Sequence, residues 1–384
     1  MLEEGDPMNK LTKKCIALLL VCAMILCLGA CAMAENESGK TQMVYAKVVE
    51  IEKYGHAVLD ITTSEFIESG YALGDIVCVR VGSYEADMPF FDGYYTDAGD
   101  VLLRGLTPEA NIAVCINYGD FSKENAVTIG DAVELTLTEK AGMLSVQELS
   151  SLQYSDNRAD YSSDAVFANF RAVTAGRIGQ HKLFRTASPI DNARGRASCA
   201  DDLIASAGIA TVLNLSDSDE EIAAFCEAED FDSAYYYTLY ESGKVVAVAL
   251  LANFFTEDYA ASIAEGFTFL AKNDPPYGIH CLEGKDRTGF ALMLLEALMG
   301  AELDEIIDDY MVSFANYYGI NKETEPERYQ TVLDKNLIPM LCHMAGVKTS
   351  EELAQIDLET AATDYLLRAG MTEEEILTLQ EKLG

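Results

Sequence analysis

At 384 residues the chain exceeds one typical domain, and with 49% hydrophobic residues it can bury a core in each of two. Lys and Arg number 27 against 63 Asp and Glu, a formal charge of -36, and so acidic a surface repels DNA, RNA and anionic lipid, which excludes nucleic-acid binding. The same field repels phosphate esters at long range, so chemistry on them requires a locally positive pocket.

The N-terminal segment carries Lys10, Lys13 and Lys14 before an apolar run, Cys15 to Leu28, and then small residues through Ala34. A basic head, a short apolar middle and a small-residue end predict an export signal over residues 1–34. Two processing routes are open: the Ala32-Met33-Ala34 site releases a soluble protein, whereas Leu28-Gly29-Ala30-Cys31 is similar to a bacterial lipobox and leaves a lipid-anchored one. The chain is therefore expected to be exported, either secreted or held at the bacterial cell surface, with a lipid anchor as its only link to the membrane. Of ten cysteines, Cys15, Cys22, Cys27 and Cys31 lie in this segment. The others, Cys78, Cys115, Cys199, Cys226, Cys281 and Cys342, form no C-x-x-C pair, so neither a structural zinc site nor another metal or cofactor is expected.

Residues 41–140 read as an all-β domain, a small barrel or sandwich. Val44–Val49, Ile76–Val81, Ile112–Ile116 and Ala132–Leu137 are Val- and Ile-rich runs, and Gly74-Asp75 and Gly130-Asp131 supply turns before two of them. The stretch from Tyr95-Thr96-Asp97 through Asn117-Tyr118-Gly119-Asp120 to Gly130-Asp131 weakly resembles the C-terminal β-barrel of S-adenosylmethionine hydroxide adenosyltransferases. That resemblance implies a binding or spacer module and no activity. Ser-rich residues 145–164 are expected to be a linker.

From 165 to 384 the pattern alternates, which predicts an α/β domain. Ala210–Leu215 is a short apolar strand, and Asp217–Glu221 opens a helix. Tyr235, Tyr236 and Tyr237 read as half-buried strand. Thr256–Lys272 is amphipathic, with Tyr259, Ile263, Phe267 and Leu270 on one face. Tyr277–His280 is a buried strand, and Thr288–Met299 is a helix stopped by Gly300. The last stretch, 301–384, continues as acidic helices, in which Asp304, Asp308 and Asp309 read as a solvated face.

Between that strand and that helix lies His280-Cys281-Leu282-Glu283-Gly284-Lys285-Asp286-Arg287-Thr288-Gly289. A Cys and an Arg six apart are weak evidence alone; the flanking His280, Gly284 and Gly289 and the strand–loop–helix setting supply the specificity. A thiol attacks phosphorus as its thiolate, which a helix N-terminus and a nearby cation favour, and Cys281 has both at hand. The N–H groups of Leu282, Glu283, Gly284, Lys285 and Arg287 are placed to cradle phosphate oxygens, with Gly284 allowing the sharp turn. Arg287 offers a bidentate fork to the transferred group. Thr288 is positioned to donate its hydroxyl to the thiolate, and His280 and Gly289 support the loop.

The segment His280–Gly289 resembles the signature loop of protein tyrosine phosphatases, in the form carried by the bacterial secreted branch, which is similar to lipid phosphatases in having a Lys inside the loop. Leu183–Pro189 and Gly208–Leu215 also resemble stretches of that branch, although Asn214 and Ser216 stand where it has Asp and Arg. The resemblance covers roughly Phe167 to Asn321 and implies a tyrosine-phosphatase-like central sheet flanked by helices, with no cofactor. It also implies hydrolysis of phosphate monoesters through a phosphocysteine.

There is no Trp in the chain, so a Trp-Pro-Asp acid loop is excluded. Asp286 is the first candidate for the general acid, or else it orients Arg287; Asp258 and Asp191 follow. Arg171, Arg177, Lys182, Arg185, Arg194 and Arg196 share a stretch whose one acid is Asp191, and read as an electropositive rim in which Arg185 binds substrate. Lys285 adds a cation where a second phosphate would lie, whereas Glu283 opposes a highly charged ligand. The expected substrate is phosphotyrosine in proteins, with a phosphoinositide or inositol phosphate as the alternative and a non-catalytic extracellular binding protein as the rival class.

Overall fold

The computed structural model describes residues 43–96, 99–251 and 253–384. The expected export signal with its cysteines, and Asp97, lie outside the described residues. Among the described residues no helix is long and apolar enough to cross a membrane. The described residues divide into two units, one of residues 43–90, 96 and 99–140, the other of residues 91–95, 141–251 and 253–384.

In the first unit seven strands close a barrel: β1 (Met43–Ile51), β2 (Ala57–Thr62), β3 (Ile76–Val81), β4 (Tyr84–Phe91), β5 (Val101–Arg104), β6 (Asn111–Ile116) and β7 (Ala132–Glu139). Their order around the barrel is β1-β2-β6-β5-β4-β3-β7, and β1 closes it by pairing antiparallel with both β2 and β7. Alternation explains the closure. In β3 the side chains of Val77, Val79 and Val81 are buried while Arg80 between them is exposed, so one face of the strand lines the interior. Gly74 and Gly130 hold φ of +87° and +97°, the left-handed geometry their turns require.

The second unit is built on a five-stranded sheet of order β11-β10-β12-β9-β8, from β8 (Arg171–Val173), β9 (Leu183–Thr186), β10 (Thr211–Asn214), β11 (Val245–Ala247) and β12 (Tyr277–His280). The strands β11, β10, β12 and β9 run parallel, and β8 pairs antiparallel with β9. Strands β9, β10 and β12 are buried at every position, so none alternates; β10 and β12 fall in the runs read as strands, whereas β9, which carries Arg185 and Thr186, does not read as an apolar run. The helix Glu257–Lys272, capped by Thr256, buries Tyr259, Ile263, Phe267 and Leu270 against the sheet side of the core. The helix Asp286–Leu298 is buried from Thr288 to Leu298 on all faces and forms the centre of the unit.

Two expectations need correction. Residues 145–164 are not a featureless linker: Leu144–Ser150 is a helix that buries Val146 and packs on the helix Pro326–Val332. The tyrosine run is helical, within Ala234–Glu241. Tyrosine favours strands only weakly against tertiary context. Here the Asp201 carboxylate accepts the N–H groups of Tyr235 and Tyr236 at 2.9 and 2.6 Å, satisfying donors that a helix start leaves orphaned.

Candidate active site

Strand β12 is central, with Asn214 of β10 and Thr186 of β9 opposite His280, so Cys281 leaves the sheet at its carboxyl edge between two neighbouring strand ends. The helix that follows begins at Asp286. Residues 281–285 are thus a tight loop spanning a strand end and a helix N-terminus, and Cys281 is buried, with 3% exposure.

The loop is held by its carbonyl oxygens. Leu282 O accepts from Ser188 N–H at 3.0 Å. Glu283 O accepts from the Tyr317 hydroxyl at 2.6 Å and from Asn169 Nδ2 at 3.3 Å. Gly284 O accepts from Asn169 Nδ2 at 3.0 Å and Arg185 Nη2 at 2.7 Å. Lys285 O accepts from Arg185 Nη2 at 3.2 Å and from Gly289 N–H at 2.8 Å. Four consecutive carbonyls therefore have protein partners, while the N–H groups of Leu282 to Arg287 donate to no described residue. Backbone N–H groups left free in a nest at a helix N-terminus form an anion site. Gly284 sits at φ +63°, and a Cβ there would lie 2.2 Å from Thr186 O, so only glycine fits. Gly289 is equally constrained, with a built Cβ 2.7 Å from the Tyr310 ring.

Under the loop lies a buried charge cluster that the sequence did not announce. Arg185 and Arg171 both pair with Asp309, and Arg171 reaches Asn169 Oδ1 and Ser313 as well. Burial pushes the Asp309 carboxyl up, but the two guanidinium groups outweigh it and hold it below the usual range. Burial, then the charge of Asp309, pushes the Glu296 carboxyl well above that range. Asp309 is therefore not part of a solvated face.

At the mouth, Arg287 donates from Nη1 to Leu250 O at 2.9 Å, which fixes one edge of the guanidinium and leaves its other donors for a ligand. Lys285 Nζ lies 2.8 Å from the Tyr318 hydroxyl, 3.4 Å from Glu283 and 3.7 Å from Asp286. Burial opposes its charge, but Asp286, Tyr318 and Glu283 together hold the ammonium above its ordinary value. Burial raises the Asp286 carboxyl against the lowering pull of Lys285. The Asp286 side chain still keeps 43% of its surface open, as a group that hands a proton outward must. His280 is fully buried, and burial lowers it to about 3, so its ring is neutral and acts as packing, edge-on to Tyr236. The Thr288 hydroxyl is buried without a hydrogen-bond partner among the described residues, so the expected bond to the thiolate is not present.

The basic rim also needs correction. Arg171 and Arg185 are tied to Asp309, Arg177 to Glu359, and Arg194 and Arg196 to Asp156. Arg185 is 0% exposed and supports the loop from beneath instead of binding substrate. Asp258 is exposed in the first turn of its helix, and the Asp191 carboxylate accepts Ala193 N–H; neither bonds to the loop. Tyr236 is buried against Asn214, and the aromatic wall beside the loop comes from Tyr154, Tyr317 and Tyr318. Tyr154 lies in a Ser-rich stretch without apolar periodicity, and no spacing in the sequence marks it. Asn214 replaces an ion pair with a turn network, its Oδ1 accepting from Ser216 and Asp217 N–H and its Nδ2 donating to Asp217.

Residues 167–384, more than half of the chain, match the family described as the tyrosine phosphatase family. Among solved structures the chain is similar to an uncharacterized conserved protein from Thermotoga maritima. The identity is 23%, over 25% of this chain and 36% of that one, with a TM-score of 0.23. It is also similar to the core catalytic domain of the PP-IP phosphatase SIW14 from S. cerevisiae in complex with citrate. There the identity is 18%, over 44% of this chain and 91% of that one, with a TM-score of 0.27. The chain thus spans about a third of the length of the first of these structures. No curated protein matches it.

Proposed function

The chain belongs to the tyrosine phosphatase family, and from that premise we propose that it hydrolyses phosphotyrosine in proteins through a phosphocysteine at Cys281. The observation that carries this reading is the loop whose carbonyls from Leu282 to Lys285 are all tied into the protein, leaving its N–H groups free around Cys281. Three phosphate oxygens fit such a ring of donors, and the Arg287 fork adds charge where it develops in the transition state.

In the first step the Cys281 thiolate attacks phosphorus, the P–O bond to the leaving group breaks, and Asp286 protonates the departing oxygen. In the second, water attacks the phosphocysteine with Asp286 taking its proton, and the thiolate is released with inorganic phosphate. The tyrosine wall beside the loop supports an aromatic leaving group. Export by residues 1–34 belongs to the same reading and places the substrate outside the cytoplasm.

The test is turnover of a phosphotyrosyl peptide and of a phosphoinositide by the chain and by Cys281→Ser. Peptide hydrolysis that vanishes in the variant supports the proposal. Preference for the phosphoinositide transfers the chemistry to a lipid headgroup, and no turnover of either makes the binding-protein class the leading one.

A further inference from the structure

The Lys285 ammonium has three N–H donors, and three groups surround it: the Tyr318 hydroxyl at 2.8 Å, Glu283 Oε2 at 3.4 Å and Asp286 Oδ2 at 3.7 Å. Glu283 is a carboxylate of the same loop, so the charge of this lysine already has a partner within the loop itself, and the Tyr318 hydroxyl takes one of its donors. Both sides of the Glu283 pair are largely covered, with side-chain exposures of 11% for Lys285 and 19% for Glu283, so solvent screens it weakly. Phe314 and Tyr318 rings, at 5.3 and 4.9 Å, hold the ammonium from the remaining side.

Glu283 has a second partner besides Lys285. Its other oxygen, Oε1, accepts a short hydrogen bond from the Tyr154 hydroxyl. The two carboxylate oxygens thus face two different partners, which fixes the side chain's rotamer. Tyr154 is in turn seated by its neighbours. Arg196 and Arg194 lie over its ring at 5.1 and 5.5 Å, and the Tyr317 and Tyr318 rings are 4.8 and 5.7 Å away. Arg196 is itself buried and anchors the same stretch of chain through Ser155 O and Asp156.

We propose that Tyr154 is a specificity-positioning residue: by holding Glu283 against Lys285 it neutralises the one loop lysine that would otherwise receive a second phosphate, so the site selects esters with a single phosphate on an uncharged group. The inference rests on the phosphatase reading for the place of the phosphate, but it concerns ligand charge and is measurable without turnover. Loss of the Tyr154 hydroxyl leaves Glu283 free to rotate into water, and loss of the Glu283 charge frees Lys285 outright. Either change makes the mouth of the site more positive toward a polyanion and leaves a monophosphate little to gain.

The experiment uses the full chain carrying Cys281→Ser, with and without Tyr154→Phe or Glu283→Gln, and measures binding of phenyl phosphate and of inositol hexakisphosphate by calorimetry. The expected result is a rise in the affinity ratio of hexakisphosphate to phenyl phosphate, about tenfold for Glu283→Gln and several-fold for Tyr154→Phe. Both substitutions keep the shape of the side chain, and circular dichroism checks that each variant folds. A ratio unmoved by Tyr154→Phe overturns the proposal, as does a ratio unmoved by Glu283→Gln or an absence of binding by both ligands in all three proteins. A wild type without Cys281-dependent turnover, by contrast, sinks the phosphatase reading and leaves the binding ratio to be judged separately.

Discussion

Arg185 donates from Nη2 to the carbonyl oxygen of Gly284 at 2.7 Å, and its other arm pairs with Asp309, so a fully buried cation ties the catalytic loop to the helix Leu303–Tyr318. Removing one partner of a buried pair strands the other, at a cost of about 3–5 kcal/mol. Arg185→Met is therefore expected to lower stability by that order in urea unfolding and to lower kcat as well. An unchanged unfolding midpoint contradicts the supporting role given to this residue.

Gly284→Ala adds a methyl group where the Thr186 carbonyl oxygen already lies 2.2 Å from the ideal Cβ position. The left-handed backbone alone costs an L-residue about 1–2 kcal/mol. The loop must open to relieve the contact, which tilts its N–H groups away from the bound phosphate. The expected outcome is loss of vanadate binding with only modest loss of stability, read by competition assay and thermal melt. Wild-type vanadate affinity in the variant rules the geometry out.

Asp286 carries a raised carboxyl and an open face. As a general acid it must be protonated, so activity should fall as pH rises through its raised value. In Asp286→Asn that alkaline limb should disappear, with kcat down about 100-fold for a phenyl leaving group and much less for nitrophenyl. An equal loss on both substrates assigns Asp286 to orienting Arg287 instead.

His280 stays neutral in the folded protein down to about pH 3, whereas the unfolded chain takes up a proton below about 6.5. Between these values the unfolded state binds more protons, so stability is full above about 6.5 and falls as pH drops toward 3. The slope is at most about 1.4 kcal/mol per pH unit. His280→Asn removes this term. The stability gap between wild type and variant should narrow from pH 7 to pH 5, and a constant gap refutes the assignment.

Local order was written in the sequence wherever one short stretch contained the whole cause. The strand Tyr277–His280 and the face of the helix Glu257–Lys272 follow from apolar spacing, and the anion loop follows from Cys281, Gly284 and Arg287 at fixed offsets between a strand and a helix. Four of the barrel's seven strands, β1, β3, β6 and β7, were legible for the same reason, though such runs fit a sandwich as well and only the pairing of β1 with β7 closes the barrel. What tertiary structure alone decided is which charges meet. The cations from Arg171 to Arg196 looked like a rim because the partners of the five arginines, Asp156, Asp309 and Glu359, are distant in sequence. Lys285 looked available because the groups that occupy it include Tyr318, and because Glu283 is aimed by Tyr154, 129 residues away. Hydrophobic periodicity is a property of neighbours along the chain and can be read from it. The charge a site presents is a sum over neighbours in space, and only the fold brings those together.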